Sequence, residues 1–187
     1  MKNYIKTFIK DKNVASIAPT SERVVRSVCE PIDFTKDLII VEYGPGNGVF
    51  TRYLLKKMTA GSRIIVIETN HDFVAHLRKN KDSRLSVFQD SAENVGDIMK
   101  RLGHDKADYI VSGIPFSFLN AYTKDKILLE SKKLLTKNQG MFLAYQTSTH
   151  LKKPLQKHFD EVWTNFKYLN IPPMCVYKAY GFKKGYH

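Results

Sequence analysis

Cysteines are scarce in this sequence, long apolar runs are missing, and acids are outnumbered. Cys29 and Cys175 stand far apart in a chain of 187 residues, and no secretory signal accompanies them. That excludes a disulfide framework, assigns both to the core as small residues, and implies a reducing, cytoplasmic setting. The longest apolar runs, such as Ile64 to Ile67, fall far short of a bilayer's thickness, so no membrane-spanning segment is expected. The six histidines lack metal-ligand spacing: His71 and His76 lie five apart, off one helical face. Neither cysteine has a partner nearby, and no metal is expected. Thirty Lys and Arg against eighteen Asp and Glu leave a net charge of +12, which favours an anionic polymer or an anionic membrane surface as partner.

What is present is a globular composition, 43% apolar and 12% aromatic, of a length that suits one domain with a single sizeable core. Apolar runs of four or five residues alternate with amphipathic segments, the pattern of a βα series. Strands are expected at Leu38 to Glu42, Arg63 to Glu68, Leu85 to Gln89, Asp108 to Ser112 and Met141 to Gln146. Phe73, Val74 and Leu77, then Val95, Ile98, Met99 and Leu102, fall at helical spacing, with Gly61 and Gly103 placed to end helices. Ile127 to Leu135 and Leu151 to His158 read as further helices, the latter with Pro154 in its first turn. Two aromatic-rich runs near the end, joined by Pro172 and Pro173, form a closing antiparallel pair at the sheet edge. This order implies a largely parallel sheet whose ligand crevice lies beyond the strands' carboxyl ends.

Residues 1–37 form a helical leader and residues 38–187 the core domain. In the leader Tyr4, Ile5, Phe8 and Ile9 repeat at helical spacing, while Lys2, Lys6 and Lys10 lie on the opposite face. A second helix, capped by Thr20 or Ser21, buries Val24, Val25 and Val28.

The segment Val41 to Met58, VEYGPGNGVFTRYLLKKM, sets glycines at every second position between a strand and a helix. Gly44, Gly46 and Gly48 allow close approach of a ligand to backbone. A nicotinamide-type G-x-G-x-x-G turn would have glycine at position 49, where Val49 stands. Strand two ends in Glu68, twenty residues beyond Gly48, where a carboxylate can accept hydrogen bonds from both hydroxyls of a free ribose. Strand three ends in Asp90 and Ser91, at the same rim, where a carboxylate can accept from an adenine amino group. Strand four ends in Ser112, again at that rim. Together they imply an adenosine cofactor.

With Glu42 followed by G-x-G-x-G, the chain resembles the class I S-adenosylmethionine-dependent methyltransferases across Leu38 to Gln146. The resemblance implies a Rossmann-like α/β fold, a mostly parallel seven-stranded sheet with helices on both faces and a closing antiparallel pair. It implies S-adenosylmethionine as cofactor, Glu42 in the first motif, Glu68 on the ribose and Asp90 on the adenine side. A sulfonium methyl passes to an aligned lone pair, and alignment alone can remove roughly 7–11 kcal/mol from such a barrier.

Ser112 to Phe116, SGIPF, is similar in part to the N-x-P-aromatic motif of adenine N6-methyltransferases, including the ribosomal RNA dimethyltransferases. Gly113 stands where those enzymes carry an asparagine or aspartate. The pattern is closer to the soluble, rhizobial-type bacterial phospholipid N-methyltransferases, as are VASIAPTS, Val14 to Ser21, and LNIPPMCVY, Leu169 to Tyr177. That resemblance implies methylation of an aminophospholipid such as phosphatidylethanolamine, and docking on anionic membranes through the basic amphipathic leader, each lysine adding about 1 kcal/mol. Aromatic faces would stabilise a methylated ammonium, and Phe116, Tyr145 and Tyr177 are the catalytic candidates, with Trp163 beside them. The expected protein is a monomer at the inner face of the membrane. Two alternatives stand beside it: an RNA adenine methyltransferase, and a non-catalytic lipid- or nucleic-acid-binding module of the same fold.

Overall fold

A computed structural model describes residues 22–137, 139–167 and 173–181. The leader residues Lys2, Tyr4, Ile5, Lys6, Phe8, Ile9 and Lys10, the segment Val14 to Ser21 with both expected caps, and Leu169 to Pro172 lie outside the described residues.

Helix α1 (Glu22–Cys29) opens the described chain and buries Val24, Val25, Val28 and Cys29, as its spacing requires. Then come β1 (Ile39–Tyr43), α2 (Val49–Lys57), β2 (Arg63–Glu68), α3 (His71–Leu77), β3 (Leu85–Gln89), α4 (Val95–Arg101), β4 (Tyr109–Ser112), α5 (Ala121–Leu134), β5 (Met141–Gln146), α6 (Lys152–His158), β6 (Glu161–Lys167) and β7 (Met174–Tyr180). The seven strands form one sheet in the order β3-β2-β1-β4-β5-β7-β6. The first five are parallel; β7 runs antiparallel between β5 and β6. The chain reverses direction between β3 and β4 to reach the other side of β1, which opens a crevice above the carboxyl ends of β1 and β4.

Each face of the sheet carries its own apolar layer. Val41, Ile65, Ile110 and Phe142 pack on one side with α4, α5 and α6, while Ile40, Ile64, Val111 and Leu143 pack on the other with α1 and α2. The central strands are apolar throughout because both faces are covered. Burying each such side chain contributes about 1.5–3 kcal/mol. Arg84, just ahead of β3, fixes the end of α2: its guanidinium donates to the carbonyls of Met58 at 2.7 Å and Leu55 at 2.8 Å and pairs with Asp82 at 2.7 Å. Those carbonyls have no partner within the helix, so the contact completes it.

Apart from shifts of one residue at other element ends, three boundaries differ from the sequence reading in ways that bear on the site or its frame. Strand β1 is shifted one residue, ending at Tyr43. Helix α5 begins at Ala121, because Asn120 caps it by accepting the Thr123 amide at 2.8 Å; its first turns are polar and show no apolar period before Ile127. Gly61 does not end a helix. Helix α2 stops at Lys57, where Met58 turns extended, and Gly61 instead lies pressed against the Asp37 carboxylate.

Candidate active site

Four loops leave the same rim of the sheet, and backbone hydrogen bonds continue the strand ladder into them. The Gly44 amide donates to Ile67 at 3.0 Å, the Gly113 amide to Tyr43 at 2.9 Å, and the Asp90 amide to Glu68 at 3.1 Å. The glycine turn, the acidic strand ends and the SGIPF segment therefore share one frame.

Gly44, Gly46 and Gly48 all have positive φ, at 61°, 54° and 73°, a backbone that side chains resist. A Cβ on Gly46 would meet open space, so this part of the turn faces the crevice. A Cβ on Gly48 would lie 2.7 Å from Leu77, so there the glycine is needed for α3 to pack. From below, Arg52 donates to the Asn47 carbonyl at 2.7 Å. Glu68 is buried beside the turn, accepting from the Gly46 amide at 3.3 Å and the Asn70 amide at 2.8 Å. Its carboxylate is thereby aimed along the turn.

Glu42 sits beneath, 2% exposed, accepting from the Thr51 hydroxyl at 2.7 Å. Burial pushes its carboxyl up to about 7; the Thr51 bond opposes the shift and the nearby Glu68 charge adds to it. The side chain props the turn against α2 rather than lining the crevice. Asp90 is partly exposed at the rim. One oxygen accepts from the Ser91 amide at 2.7 Å and Asn94 at 2.8 Å, while the other lies 3.9 Å from Arg101. Ser91 caps the 3₁₀ turn Ala92–Asn94, accepting from the Glu93 amide. Ser112 is fully buried, its hydroxyl turned back to the Ile114 amide at 3.4 Å.

The three catalytic candidates separate. Tyr145 reaches the crevice: its ring stacks on Phe50 with centroids 4.6 Å apart, and its hydroxyl stands over Gly113. A Cβ on Gly113 would lie 2.5 Å from that oxygen and 2.8 Å from the Gly44 carbonyl. Burial, reinforced by Glu42 and Cys29, raises the pKa of Tyr145, so its hydroxyl stays protonated at neutral pH. Phe116 lies inward: it is 1% exposed and packs edge-on to Phe142, because the turn after Pro115 folds it toward the core. Tyr177 also lies in the core. It is fully buried opposite Ala144, and its hydroxyl donates to the Ser148 carbonyl at 3.1 Å, anchoring the loop after β5. Trp163 lies exposed on the edge strand β6, four strands away from β1.

Gln146 was missed by the sequence reading. Its side chain donates to the Ile114 carbonyl at 2.7 Å and accepts from the Phe116 amide at 3.1 Å, holding the SGIPF segment in place. Its only sequence signal was its position as the last residue of a strand ending at this rim. A separate groove of about 400 Å³ between α4 and α5 has mixed charges, Asp97, Lys100, Lys126 and Glu130 among them, and contains none of the motif residues. Among the described residues no group of histidines, cysteines and acids is arranged to hold a metal.

Residues 4–114 match the ribosomal RNA adenine dimethylase family. The chain belongs to that family. It is an S-adenosylmethionine-dependent methyltransferase. Relatives include an ornithine lipid N-methyltransferase from Singulisphaera acidiphila, 25% identical over 92% of this chain and 91% of that one. Another is ribosomal RNA small subunit methyltransferase A of Mycoplasma capricolum subsp. capricolum, 30% identical over 73% of this chain. This methyltransferase spans only 46% of that protein's length. The fold is similar to precorrin-6y C5,15-methyltransferase from Geobacter metallireducens, with TM-score 0.70 and 15% identity over 88% of this chain and 91% of that one. It is also similar to human methyltransferase-like protein 13 in complex with SAH, with TM-score 0.64 and 12% identity over 84% and 81% of the two chains. The residues fit the cofactor: a left-handed glycine turn open above Gly46, with a buried carboxylate alongside, suits a close-lying nucleoside with free hydroxyls. Among the described residues no helix is long and apolar enough to cross a membrane.

Proposed function

We propose that this methyltransferase acts on the amine of an aminolipid, such as phosphatidylethanolamine or a related lipid, at an anionic membrane surface. The observation that carries the reading is the filling of the space above Gly113 by the Tyr145 hydroxyl. An adenine-type site needs a side-chain carbonyl or carboxylate at position 113 to hold the planar amino group. Here that space offers one neutral hydroxyl, enough to orient a small flexible amine. The near full-length similarity to an ornithine lipid N-methyltransferase supports the same substrate class.

In this reading Gly44, Gly46 and Gly48 cradle S-adenosylmethionine, Glu68 accepts from the ribose, and Asp90, Ser91 and Ser112 complete the rim, with Glu42 supporting the turn. When bound, the cofactor supplies a methyl group on a sulfonium sulfur. Tyr145 accepts a hydrogen bond from an amine N–H and turns the nitrogen lone pair toward the turn. Its raised pKa makes it an orienting group rather than a base, so the amine's proton leaves to solvent. The leader residues Lys2, Tyr4, Ile5, Lys6, Phe8, Ile9 and Lys10 provide a basic amphipathic helix for the membrane.

The test is purified protein with labelled cofactor and separate pools of phosphatidylethanolamine, ornithine lipid, RNA and small amines. Label in lipid is expected. Label in RNA would select the second reading, an adenine methyltransferase, which the family membership and the +12 charge favour.

A further inference from the structure

Parallel pairing of β4 with β5 stops at Ser112 opposite Ala144, and in the same register Ile114 would come level with Gln146. The backbone does not carry the ladder further, because Pro115 has no N–H and turns the chain out of the sheet at φ −76° and ψ 86°. The Gln146 side chain takes over. It is buried, 6% exposed, and its amide nitrogen donates to the Ile114 and Tyr145 carbonyls, both at 2.7 Å, while its oxygen accepts from the Phe116 amide at 3.1 Å. The amide can face one way alone, since turned over it would set its oxygen against two carbonyls and its nitrogen against an N–H. Both sides of Pro115 and the backbone of Tyr145 are thus held by one group.

Resting on the reading of Tyr145 as the group that orients the acceptor amine, we propose that Gln146 is a positioning residue for methyl transfer, fixing the end of β5 and the SGIPF segment as one unit and so setting where the Tyr145 hydroxyl stands over Gly113. The Tyr145 ring has one support from its stack on Phe50, which belongs to α2. That stack sets the plane of the ring but does not tie it to Gly113, whose amide is held by Tyr43 and whose chain continues into Ile114. The bridge from Ile114 to the Tyr145 carbonyl closes this gap from the β5 side. Gln146 gives both N–H groups to backbone carbonyls, so its effect passes through the groups it holds. Methyl transfer depends on alignment, and a displaced hydroxyl aligns nothing.

The experiment is a double-mutant cycle on the full chain, with labelled S-adenosylmethionine and vesicles of phosphatidylethanolamine and phosphatidylglycerol. Gln146→Met fills similar space without hydrogen bonds and should lower kcat about tenfold, the whole contribution expected of an orienting hydroxyl. Added to Tyr145→Phe it should lower kcat by no more than about twofold, since a residue that acts through a lost group has little left to lose. Affinity for S-adenosylmethionine should equal the parent's in every variant. Were Gln146→Met not to fold, Gln146→Glu, which still accepts from the Phe116 amide and gives up at least one donation, runs the same cycle with a smaller loss of the same sign. Parental kcat in a folded Gln146 variant overturns the role, as do losses that multiply in the double variant, or a cofactor affinity that drops in step with kcat. Such results, with lipid methylated and Tyr145→Phe slowed, leave the aminolipid reading standing. If Tyr145→Phe turns over like the parent, or label enters RNA and not lipid, that reading falls and the role of Gln146 falls with it.

Discussion

The Tyr145 hydroxyl lies so close over Gly113 that a methyl group added there would sit 2.5 Å from its oxygen and 2.8 Å from the Gly44 carbonyl. Two of the rim's loops and the end of β5 meet at this point, so Gly113→Ala must push at least one of them aside. We expect a loss of about 1–3 kcal/mol in stability, typical of overpacking. Tyr145→Phe added to it should restore only part, since the backbone carbonyl stays. Urea denaturation of the single and double variants measures this; a neutral Gly113→Ala would mean the crossing is loose.

Tyr145→Phe alone keeps the stack on Phe50 and removes only the hydroxyl. One lost neutral hydrogen bond, about 1.4 kcal/mol, should lower kcat about tenfold. Stability and cofactor affinity should hold. If kcat is unchanged while folding is intact, Tyr145 does not orient the amine.

Glu68 has its carboxylate on the Gly46 and Asn70 amides, at the edge of the open turn. Glu68→Ala should weaken S-adenosylmethionine binding about 10- to 100-fold, the worth of one hydrogen bond to a charged group at about 1.5–3 kcal/mol. Calorimetry reads it directly. An affinity equal to the parent's would remove Glu68 from the ribose site.

The sheet was legible because its strands are short apolar runs bounded by turn residues, and this signal is local. Four of the five parallel strands end on the residue expected. The glycine turn and the acidic strand ends were legible for the same reason: each is fixed by its place after a strand. The aromatic assignments were not. Phe116, Tyr145 and Tyr177 look alike in sequence, and which of them faces the crevice depends on how the turn after Pro115 and the pairing of β5 with β7 rotate them. Gln146 was invisible because its partners are backbone groups 30 and 32 residues away.

Glu42 carries the clearest pH dependence in the site. Its carboxyl is raised from 4.5 to about 7, chiefly by burial. Below about pH 4.5 the group is protonated whether the chain is folded or not, and it contributes no difference. Between 4.5 and 7 the unfolded chain releases its proton while the folded chain retains it, so stability falls as pH rises; above about 7 the loss is complete and constant. A tenfold change in proton affinity corresponds to about 1.4 kcal/mol, so the whole loss amounts to about 3 kcal/mol. Glu42→Gln can still accept from Thr51 but cannot titrate. Its stability relative to the parent should therefore climb by that amount across the window, followed by urea denaturation at a series of pH values. Parallel curves would mean that the carboxylate is solvated in the folded protein, and that the glycine turn rests on some support other than a buried acid.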